Sequence, residues 1–303
     1  MKILGEYENG NYYVTMFDDG TKVRYNNDGF FIADRPESID LKITNKCYGV
    51  NCVPCPMCHE KSLPTGEHGD IMNLKFIDTM LPYSEIALGG GDVLTHPDLV
   101  PFLKRLKEQN IIANMTVNQF AFMNKIDFIK SLVDNELIYG LGVSLNEPDD
   151  EFIEAIKDFP NAVVHVINGI VTMEQLKALA NHGLKILVLG YKNFGRGQAF
   201  YLRFYDDVER LKSEFYDMLP EIVNDGWFNC VSFDNLAIKQ LDPKRFMSDD
   251  EWSSFYMGDD GTFTMYVDAV NHEFAVSSVS TKRYPLMDDI ADMFKIVKES
   301  SNE

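Results

Sequence analysis

The chain has 303 residues, with 28 Lys and Arg against 47 Asp and Glu, which gives a formal net charge of −19. Its 45% hydrophobic and 12% aromatic residues can fill a large core, so extensive disorder is excluded. No stretch approaches the roughly 20 apolar residues that span a bilayer, and the polar, acidic first residues do not form a secretory signal. The acidic charge disfavours bulk nucleic acid as a partner, and we expect a cytoplasmic protein.

The first 36 residues predict a β-hairpin leader. Tyr12–Phe17 and Thr21–Tyr25 form two short strands, and Asp18-Asp19-Gly20 is typical of a hairpin turn. From Ile39 onward, strand-like and helix-like patterns alternate, which predicts a parallel sheet, open or closed into a barrel. The predicted strands are Ile39–Thr44, Glu85–Gly89, Asn114–Asn118, Tyr139–Leu145, Ala162–Asn168 and Lys185–Gly190.

Helix-length segments lie between these strands, and six βα units are fewer than the eight of a complete barrel. We therefore predict an α/β fold with a partial (β/α)6 TIM-type barrel over residues 37–200 and a C-terminal α+β extension over residues 201–303. The predicted barrel helices are Asn73–Leu81, Asp98–Gln109, Lys125–Asn135, Asp150–Lys157 and Met173–Asn181. The extension is predicted to contain a helix at Asp206–Asn224, a strand at Cys230–Asp234, a hairpin between residues 261 and 278, and a helix at Ile290–Val297.

Four of the five cysteines lie within twelve residues: Cys47, Cys52, Cys55 and Cys58. Such crowding indicates metal binding rather than disulfide bonds. Three interpretations are open: a [4Fe–4S] cluster held by three cysteines, a zinc site held by all four, or a ferredoxin-type electron-transfer site. Zinc is disfavoured, because the two ligand pairs of a small zinc site are usually separated by more than the two residues that lie between Cys52 and Cys55. The fifth, Cys230, is predicted to be a buried strand residue.

The segment that runs from the first strand through Asn45-Lys46-Cys47 to the Cys55-x2-Cys58 pair resembles the radical S-adenosylmethionine (radical SAM) superfamily. A second motif of that superfamily, Gly-Gly-Glu followed by Leu-x-His-Pro-Asp, matches residues 90–98. Here Gly90, Gly91 and Asp92 take the place of the first three residues, with Asp in place of Glu. The resemblance covers about half of the chain, from residue 39 to residue 191.

The spacing of the first cysteine departs from the superfamily, which usually has Cys-x3-Cys-x2-Cys. Counted back from Cys55, the gap is seven residues to Cys47 and two to Cys52. We favour Cys47, Cys55 and Cys58 as the cluster ligands, because Cys47 directly follows the strand as the superfamily's first cysteine does. Cys52 would then be a free thiol, and a ligand set that contains it stays open as the alternative.

The resemblance implies an enzyme in which the open iron of a [4Fe–4S] cluster binds S-adenosylmethionine. Its reductive cleavage would yield a 5′-deoxyadenosyl radical that abstracts hydrogen from an unidentified peptide or small molecule. A flavodoxin-like or ferredoxin-like one-electron donor is implied as a partner. The C-terminal extension resembles the SPASM type but has no cysteines for auxiliary clusters. The alternative function is a non-catalytic iron–sulfur or zinc module for structure or electron transfer.

Contacts to S-adenosylmethionine are expected where the strands end. Main-chain carbonyls at Gly90 and Gly91 are open to the methionine ammonium, since glycine has no side chain to cover them. The resemblance implies further contacts to S-adenosylmethionine from polar residues at the ends of the strands. The alternative is that these residues only cap the helices that follow. Arg196 lies between two glycines in the loop after the last barrel strand. It is expected either to bind an anion or to be an ordinary surface residue. These cofactor-binding candidates are Asp92, Asn118, Ser144, Asn168 and Arg196.

Overall fold

The computed structural model describes residues 1–49, 55 and 58–301. In these residues the chain forms two β-sheets and a set of helices. The strands are β1 (Ile3–Asn9), β2 (Tyr12–Phe17), β3 (Lys22–Tyr25), β4 (Ser38–Thr44), β5 (Glu85–Gly90), β6 (Ile112–Asn118), β7 (Gly140–Ser144), β8 (Ala162–Ile167), β9 (Lys185–Leu189), β10 (Cys230–Phe233), β11 (Thr264–Asp268), β12 (Glu273–Ala275) and β13 (Tyr284–Pro285). The α-helices are α1 (Leu99–Glu108), α2 (Gln119–Asn124), α3 (Ile126–Asp134), α4 (Asp150–Lys157), α5 (Met173–Leu179), α6 (Arg196–Arg203), α7 (Tyr205–Asn224), α8 (Asn235–Leu241), α9 (Asp249–Phe255) and α10 (Ile290–Ser301).

The main sheet has ten strands in the order β10-β9-β8-β7-β6-β5-β4-β11-β12-β13. Strands β4 to β9 lie side by side in chain order and run parallel, and α-helices connect most of them, as βα units do. This arrangement confirms the predicted α/β class with a large parallel sheet. All six strands predicted between residues 39 and 190 are present, within two residues of their expected limits. None of the helices in the described residues is long and apolar enough to cross a membrane.

Two strands from beyond residue 200 join the main sheet at different places. Strand β10 pairs in parallel with β9 at one edge, and β11 pairs in parallel with β4 on the other side. Strands β12 and β13 continue the sheet from β11 in antiparallel fashion. Sequence periodicity shows that such strands exist but does not show their partners, because those partners are distant along the chain.

One local prediction in this part of the chain was wrong. The helix expected at Asn73–Leu81 is instead a pair of short 3-10 turns, Ile71–Asn73 and Lys75–Thr79, with the extended residue Leu74 between them. Ile71, Leu74, Phe76 and Ile77 are all buried, so core packing rather than helical spacing sets this backbone. At the N-terminus the predicted hairpin is present as β2 and β3, and β1 pairs with β2 to complete a three-stranded sheet.

From β5 to β9, the parallel strands have one face of buried residues and one face of residues that are partly accessible. On β7, for example, Leu141 and Val143 belong to the hydrophobic core, together with apolar residues of the helices. The alternate residues Gly142 and Ser144 are only partly buried. We call the accessible face the inner face of the sheet, since it lies opposite the side that packs with the helices. Polar side chains at these alternate positions therefore remain open to a ligand.

An ion network joins the N-terminal sheet to the amino ends of the main strands. Arg24 donates two hydrogen bonds to the fully buried Glu37, at 2.6 and 3.0 Å. Lys22 Nζ lies 3.2 Å from Glu37 and 2.7 Å from Glu85, the first residue of β5. Burial alone would raise the pKa of Glu37, but the bonds from Arg24 and the charge of Lys22 outweigh it and lower that pKa. The network closes this end of the sheet, opposite the ends that carry the motifs.

We expect Glu37→Gln to lower the free energy of unfolding by about 3 kcal/mol, because it leaves two buried cations without their shared carboxylate. Urea denaturation at neutral pH measures this loss. The matched control is Glu136→Gln, which breaks an exposed pair with Lys107. Exposed pairs contribute less than about 1 kcal/mol, so equal midpoints for the two variants would contradict the prediction.

Candidate functional site

The loop that follows β4, residues 45–70, carries the clustered cysteines, and we call it the cysteine loop. The backbone N–H of Cys47 donates to the carbonyl of Leu63 at 3.0 Å. The N–H of Cys58 donates to the carbonyl of Cys55 at 3.2 Å, which closes a tight turn between the two. Cys47 and Cys58 are partly buried and Cys55 is exposed. Cys52 lies outside the described residues.

The three described thiols of the loop lie close enough to affect one another electrostatically. Burial raises the pKa of Cys47, a hydrogen bond from the Gly49 N–H opposes this, and negative charge on Asp92, Cys58 and Cys55 raises it further. Three thiols gathered where a parallel strand ends fit the soft donor set of an iron–sulfur cluster. Within the described residues, no three His, Cys, Asp or Glu side chains form a group that could hold a single metal ion.

The glycine motif after β5 lies directly against the start of the cysteine loop. The N–H of Gly91 donates to the carbonyl of Thr44 at 2.7 Å, and that of Asp92 donates to the carbonyl of Lys46 at 2.8 Å. Gly90 has a φ of +112°, and a Cβ at Gly90 or Gly91 would clash with these same backbone segments. Only glycine permits this approach. The two sequence motifs, separate in the chain, therefore meet one residue before Cys47.

Asp92 has a structural partner within its own turn. Its carboxylate accepts a hydrogen bond from the N–H of Leu94 at 3.1 Å, as an N-cap residue does. Burial raises the pKa of Asp92, while the charge of Lys125 and the bond from Leu94 oppose the rise. The carboxylate also lies near enough to Cys47 to affect its pKa. The Asp92 carboxylate therefore lies near the thiols, and the hydrogen bond within its turn sets its orientation.

Arg196, the first residue of α6 after β9, forms hydrogen bonds that hold the cysteine loop in place. Its guanidinium donates to the carbonyl of Cys55 at 3.3 Å and to the carbonyl of Ser62, and its backbone N–H donates to the carbonyl of Cys58 at 3.3 Å. The preceding Gly195, with a φ of +63°, lies so close to the backbone of His59 that a Cβ would clash. Arg196 was predicted as an anion ligand, and the structure places its donors on the loop that holds the cysteines.

The other predicted strand-end residues fall into two environments. Asn118 and Ser144 are direct neighbours across β6 and β7, and both are partly accessible. The side-chain oxygen of Asn118 also caps α2 through the N–H of Ala121, at 2.7 Å. Asn168, by contrast, is only 1% exposed, and its amide donates to Gln240 of α8 at 3.0 Å. The structure therefore brings Asn118 and Ser144 together and leaves Asn168 buried against the C-terminal region.

The inner face also carries His165, which the sequence predicted only as part of the strand Ala162–Asn168. His165 is the neighbour of Ser144 on β8, and its ring lies over Gly142 beside the hydroxyl of Thr116. A Cβ at position 142 would clash with the ring. Burial lowers the pKa of His165 to about 4, so the imidazole is neutral at neutral pH. A glycine next to polar positions on the same face was the sequence signal for this close approach of the ring to the strand.

Asp40, on β4, is a second titratable group on the inner face. Its side chain is exposed to solvent, and desolvation by the surrounding protein atoms raises its pKa to about 6. The charge of Lys192 opposes that rise, and Asp260 and Asp234 add to it. The sequence predicted Asp40 only as a strand residue, because the alternation of β4 does not distinguish it from the other polar residues of that strand. A carboxyl whose pKa is raised towards neutrality is suited to proton transfer.

The fifth cysteine lies apart from the thiols of the cysteine loop. The prediction that Cys230 is buried was wrong: it is exposed at the start of β10. It lies at an edge strand of the sheet, where one side is not covered by a neighbouring strand. An edge position cannot be seen in the alternation of a four-residue strand. Because Cys230 is remote from the cysteine loop, it provides a control for substitutions of the three loop thiols.

Comparison with known proteins identifies the fold. No protein-family model matches the chain, and no curated protein matches it in sequence. Among solved structures, SuiB from Streptococcus suis bound to S-adenosylmethionine has a TM-score of 0.57 at 14% identity, covering 90% of this chain and 69% of SuiB. SuiB bound to the precursor peptide SuiA has a TM-score of 0.56 at 14% identity, covering 87% of this chain and 65% of SuiB.

The similarity shows that this chain shares its fold with SuiB, which has been solved with S-adenosylmethionine and with its precursor peptide. The chain spans 65% to 69% of the length of SuiB in the three matches. At 14% identity the similarity does not assign roles to individual residues of this chain.

We expect Gly142→Ala to destabilise the chain by about 1–3 kcal/mol, because the added methyl group overpacks the space occupied by the His165 ring. The additional change His165→Ala should remove most of that penalty. Urea denaturation of the wild type, both single variants and the double variant measures the coupling. Strictly additive effects would show that the ring does not occupy this space.

A second prediction concerns Asp40. Because its pKa is raised in the folded state, its contribution to stability is present at low pH and is lost as the pH rises through about 6. We therefore expect the melting temperature of Asp40→Asn to rise relative to that of the wild type from about pH 4 to about pH 6, and to change little above about pH 7. The exposed Asp288→Asn is the control. A difference between Asp40→Asn and wild type that does not change with pH would refute the raised pKa.

Proposed function

We propose that this chain is a radical SAM enzyme. The observation that carries the proposal is the contact between the glycine motif and the cysteine loop, where Gly91 and Asp92 hydrogen-bond to the backbone just before Cys47. The fold shared with SuiB, which has been solved with S-adenosylmethionine bound, supports the same assignment. Three soft thiols beside an open strand end agree with it in donor chemistry.

In this proposal Cys47, Cys55 and Cys58 hold a [4Fe–4S] cluster, with Cys52 in place of Cys47 as the alternative. When bound, a reduced cluster would supply one electron to S-adenosylmethionine, whose cleavage to methionine would provide a 5′-deoxyadenosyl radical for hydrogen abstraction from the substrate. The protein binds and orients these groups and excludes water. We propose thiolate ligation by the cysteine loop, because its backbone hydrogen bonds hold Cys47 and the Cys55–Cys58 turn in a loop that leaves the end of β4.

The proposed contacts to S-adenosylmethionine lie along the carboxyl ends of β5, β6 and β7. The main chain at Gly90 and Gly91 is proposed to bind the methionine part beside Asp92. Asn118 and Ser144, adjacent across two strands, are proposed to bind the ribose or carboxylate. The donors of Arg196 and Asn168 are already bonded to protein oxygens, so we propose supporting roles for these two. Arg196 then shapes the cysteine loop, and Asn168 ties β8 to α8.

We also propose that the main sheet curves into the partial barrel expected over residues 37–200. Strands β4 and β9 are five strand spacings apart, about 24 Å in a flat sheet. Yet the loop after β9 bonds to the cysteine loop after β4 through Arg196, and the charge of Lys192 acts on Asp40. The N-terminal sheet would close one end of this barrel. The inner face, with Asp40 and His165, would then border the substrate.

The substrate and partners are part of the same proposal. SuiB has been solved with a precursor peptide bound, which supports a peptide as the substrate class here. A flavodoxin-like or ferredoxin-like protein is proposed as the one-electron donor, because the proposed chemistry consumes one electron at a time. The proposed location is the cytoplasm, where thiols are kept reduced and available to iron.

Anaerobic reconstitution with iron and sulfide tests the proposal. We expect about four irons per wild-type chain and, on reduction with S-adenosylmethionine, release of 5′-deoxyadenosine. Cys55→Ala and Cys58→Ala should lose the cluster, whereas the control Cys230→Ala should keep it. Loss in Cys47→Ala with retention in Cys52→Ala supports the favoured ligand set, and the reverse selects Cys52.

Two outcomes would count against an enzyme. A wild-type chain without a four-iron cluster would remove the basis of the proposed chemistry. A cluster or zinc site that is fully ligated and shows no response to S-adenosylmethionine would favour the non-catalytic metal module instead.

A further inference from the structure

We propose that Asp268, on β11, is a positioning residue that holds the cysteine loop in place through Lys42 and Glu60. The inference rests on the proposed function, because it assigns a role in the proposed cluster site. It extends that site to a strand in the C-terminal region, which contributes charge and a hydroxyl group rather than a thiol.

The link consists of two short ion pairs on one lysine. The ammonium of Lys42 lies 2.8 Å from the carboxylate of Asp268 and 2.7 Å from that of Glu60. Glu60 follows Cys58 by two residues, so the pair with Lys42 acts directly on the part of the loop that holds this cysteine. Tyr266, also on β11, donates a further hydrogen bond to Glu60 at 3.1 Å. Strand β11 therefore reaches the cysteine loop both directly and through Lys42.

The anchoring end of this link is rigid. Lys42 and Asp268 are aligned neighbours on the parallel strands β4 and β11 and are 5% and 2% exposed. The carboxylate of Asp268 also accepts hydrogen bonds from the N–H groups of Val270 and Asn271, at 2.9 and 3.0 Å, and from the amide of Asn271 at 2.9 Å. A carboxylate held by four donors has little freedom to turn. It fixes the ammonium, which in turn fixes Glu60.

Burial makes the link sensitive to the loss of one partner. A buried ammonium is strongly disfavoured without a counter-charge, and removal of one member of a buried pair leaves an uncompensated charge. Lys42 also packs beneath the glycine motif, since a Cβ at Gly90 would lie 3.0 Å from its Cγ. A displaced Lys42 would disturb both halves of the proposed site.

The cysteine loop is thus held from two sides. Arg196, after β9, bonds to the carbonyls of Cys55 and Ser62, and Glu60 is held by β11 and Lys42. The two anchors come from separate segments of the chain and flank the Cys55–Cys58 turn. Groups behind metal ligands commonly change metal affinity by about 10- to 100-fold when they are removed. We expect an effect of this size for the link through Asp268.

The test compares cluster release from reconstituted wild type, Asp268→Asn and Glu60→Gln under an iron chelator. Asn at 268 keeps an oxygen for the backbone donors but removes the charge that faces Lys42. Glu60→Gln breaks the same link from the loop side and leaves the pair between Lys42 and Asp268 intact. We expect both variants to release iron at least about tenfold faster than the wild type. The change in the electron paramagnetic resonance spectrum on adding S-adenosylmethionine should also be smaller or absent in both.

The matched control is Asp288→Asn, which removes a carboxylate from an exposed lysine pair in the same C-terminal region, at 71% and 75% exposure. It should behave as the wild type in both measurements. Melting temperatures of the apoproteins separate positioning from folding, and we expect Glu60→Gln to melt close to the wild type. Iron release that merely follows global unfolding in both variants would overturn the inference.

The inference and the proposed function fail in different ways. Wild-type release rates and spectra in both loaded variants would overturn the role of Asp268 and leave the proposed function intact. A wild-type chain that loads no cluster would overturn the proposed function and the inference together.

Discussion

The close backbone approach between the ends of β4 and β5 is the constraint on which the candidate site depends. Gly91 bonds to Thr44 and Asp92 bonds to Lys46, and only residues without a Cβ fit at positions 90 and 91. This contact fixes where the cysteine loop leaves the sheet. It also places the first thiol beside the acidic residue of the glycine motif. The contacts that Arg196 and Glu60 make then hold the rest of the loop, whose first residues are already fixed against the glycine motif.

Buried ion pairs at both ends of β4 join segments that are distant in the chain. At its start, Glu37 is buried between Arg24 and Lys22 and joins the N-terminal sheet to the main sheet. Near its end, Lys42 is buried between Asp268 and Glu60 and joins β11 to the cysteine loop. Buried ions cost free energy unless they are paired, so each network specifies one arrangement of segments that are distant in the chain. The large net negative charge lies mostly elsewhere, on the surface.

The sequence predicted the features that depend on local pattern. Alternation and βα spacing were sufficient for the six parallel strands, and the cysteine and glycine motifs indicated the two loops that meet. Features set by distant contacts were not predictable. The paired 3-10 turns at residues 71–79 replace a helix because core packing overrides periodicity, and the exposure of Cys230 follows from an edge position. Likewise, only the folded arrangement shows that Arg196 bonds to the cysteine loop and that Asp268 faces Lys42.

The missing side chain at Gly142 has a consequence for how this chain and its relatives diverge. The His165 ring fills the space that a side chain at 142 would take, so neither position can change in volume without the other. Substitutions at the two positions are expected to co-vary across relatives, a larger residue at 142 appearing with a smaller one at 165. The shape of the inner face would then diversify by paired exchange between neighbouring strands rather than by independent replacement.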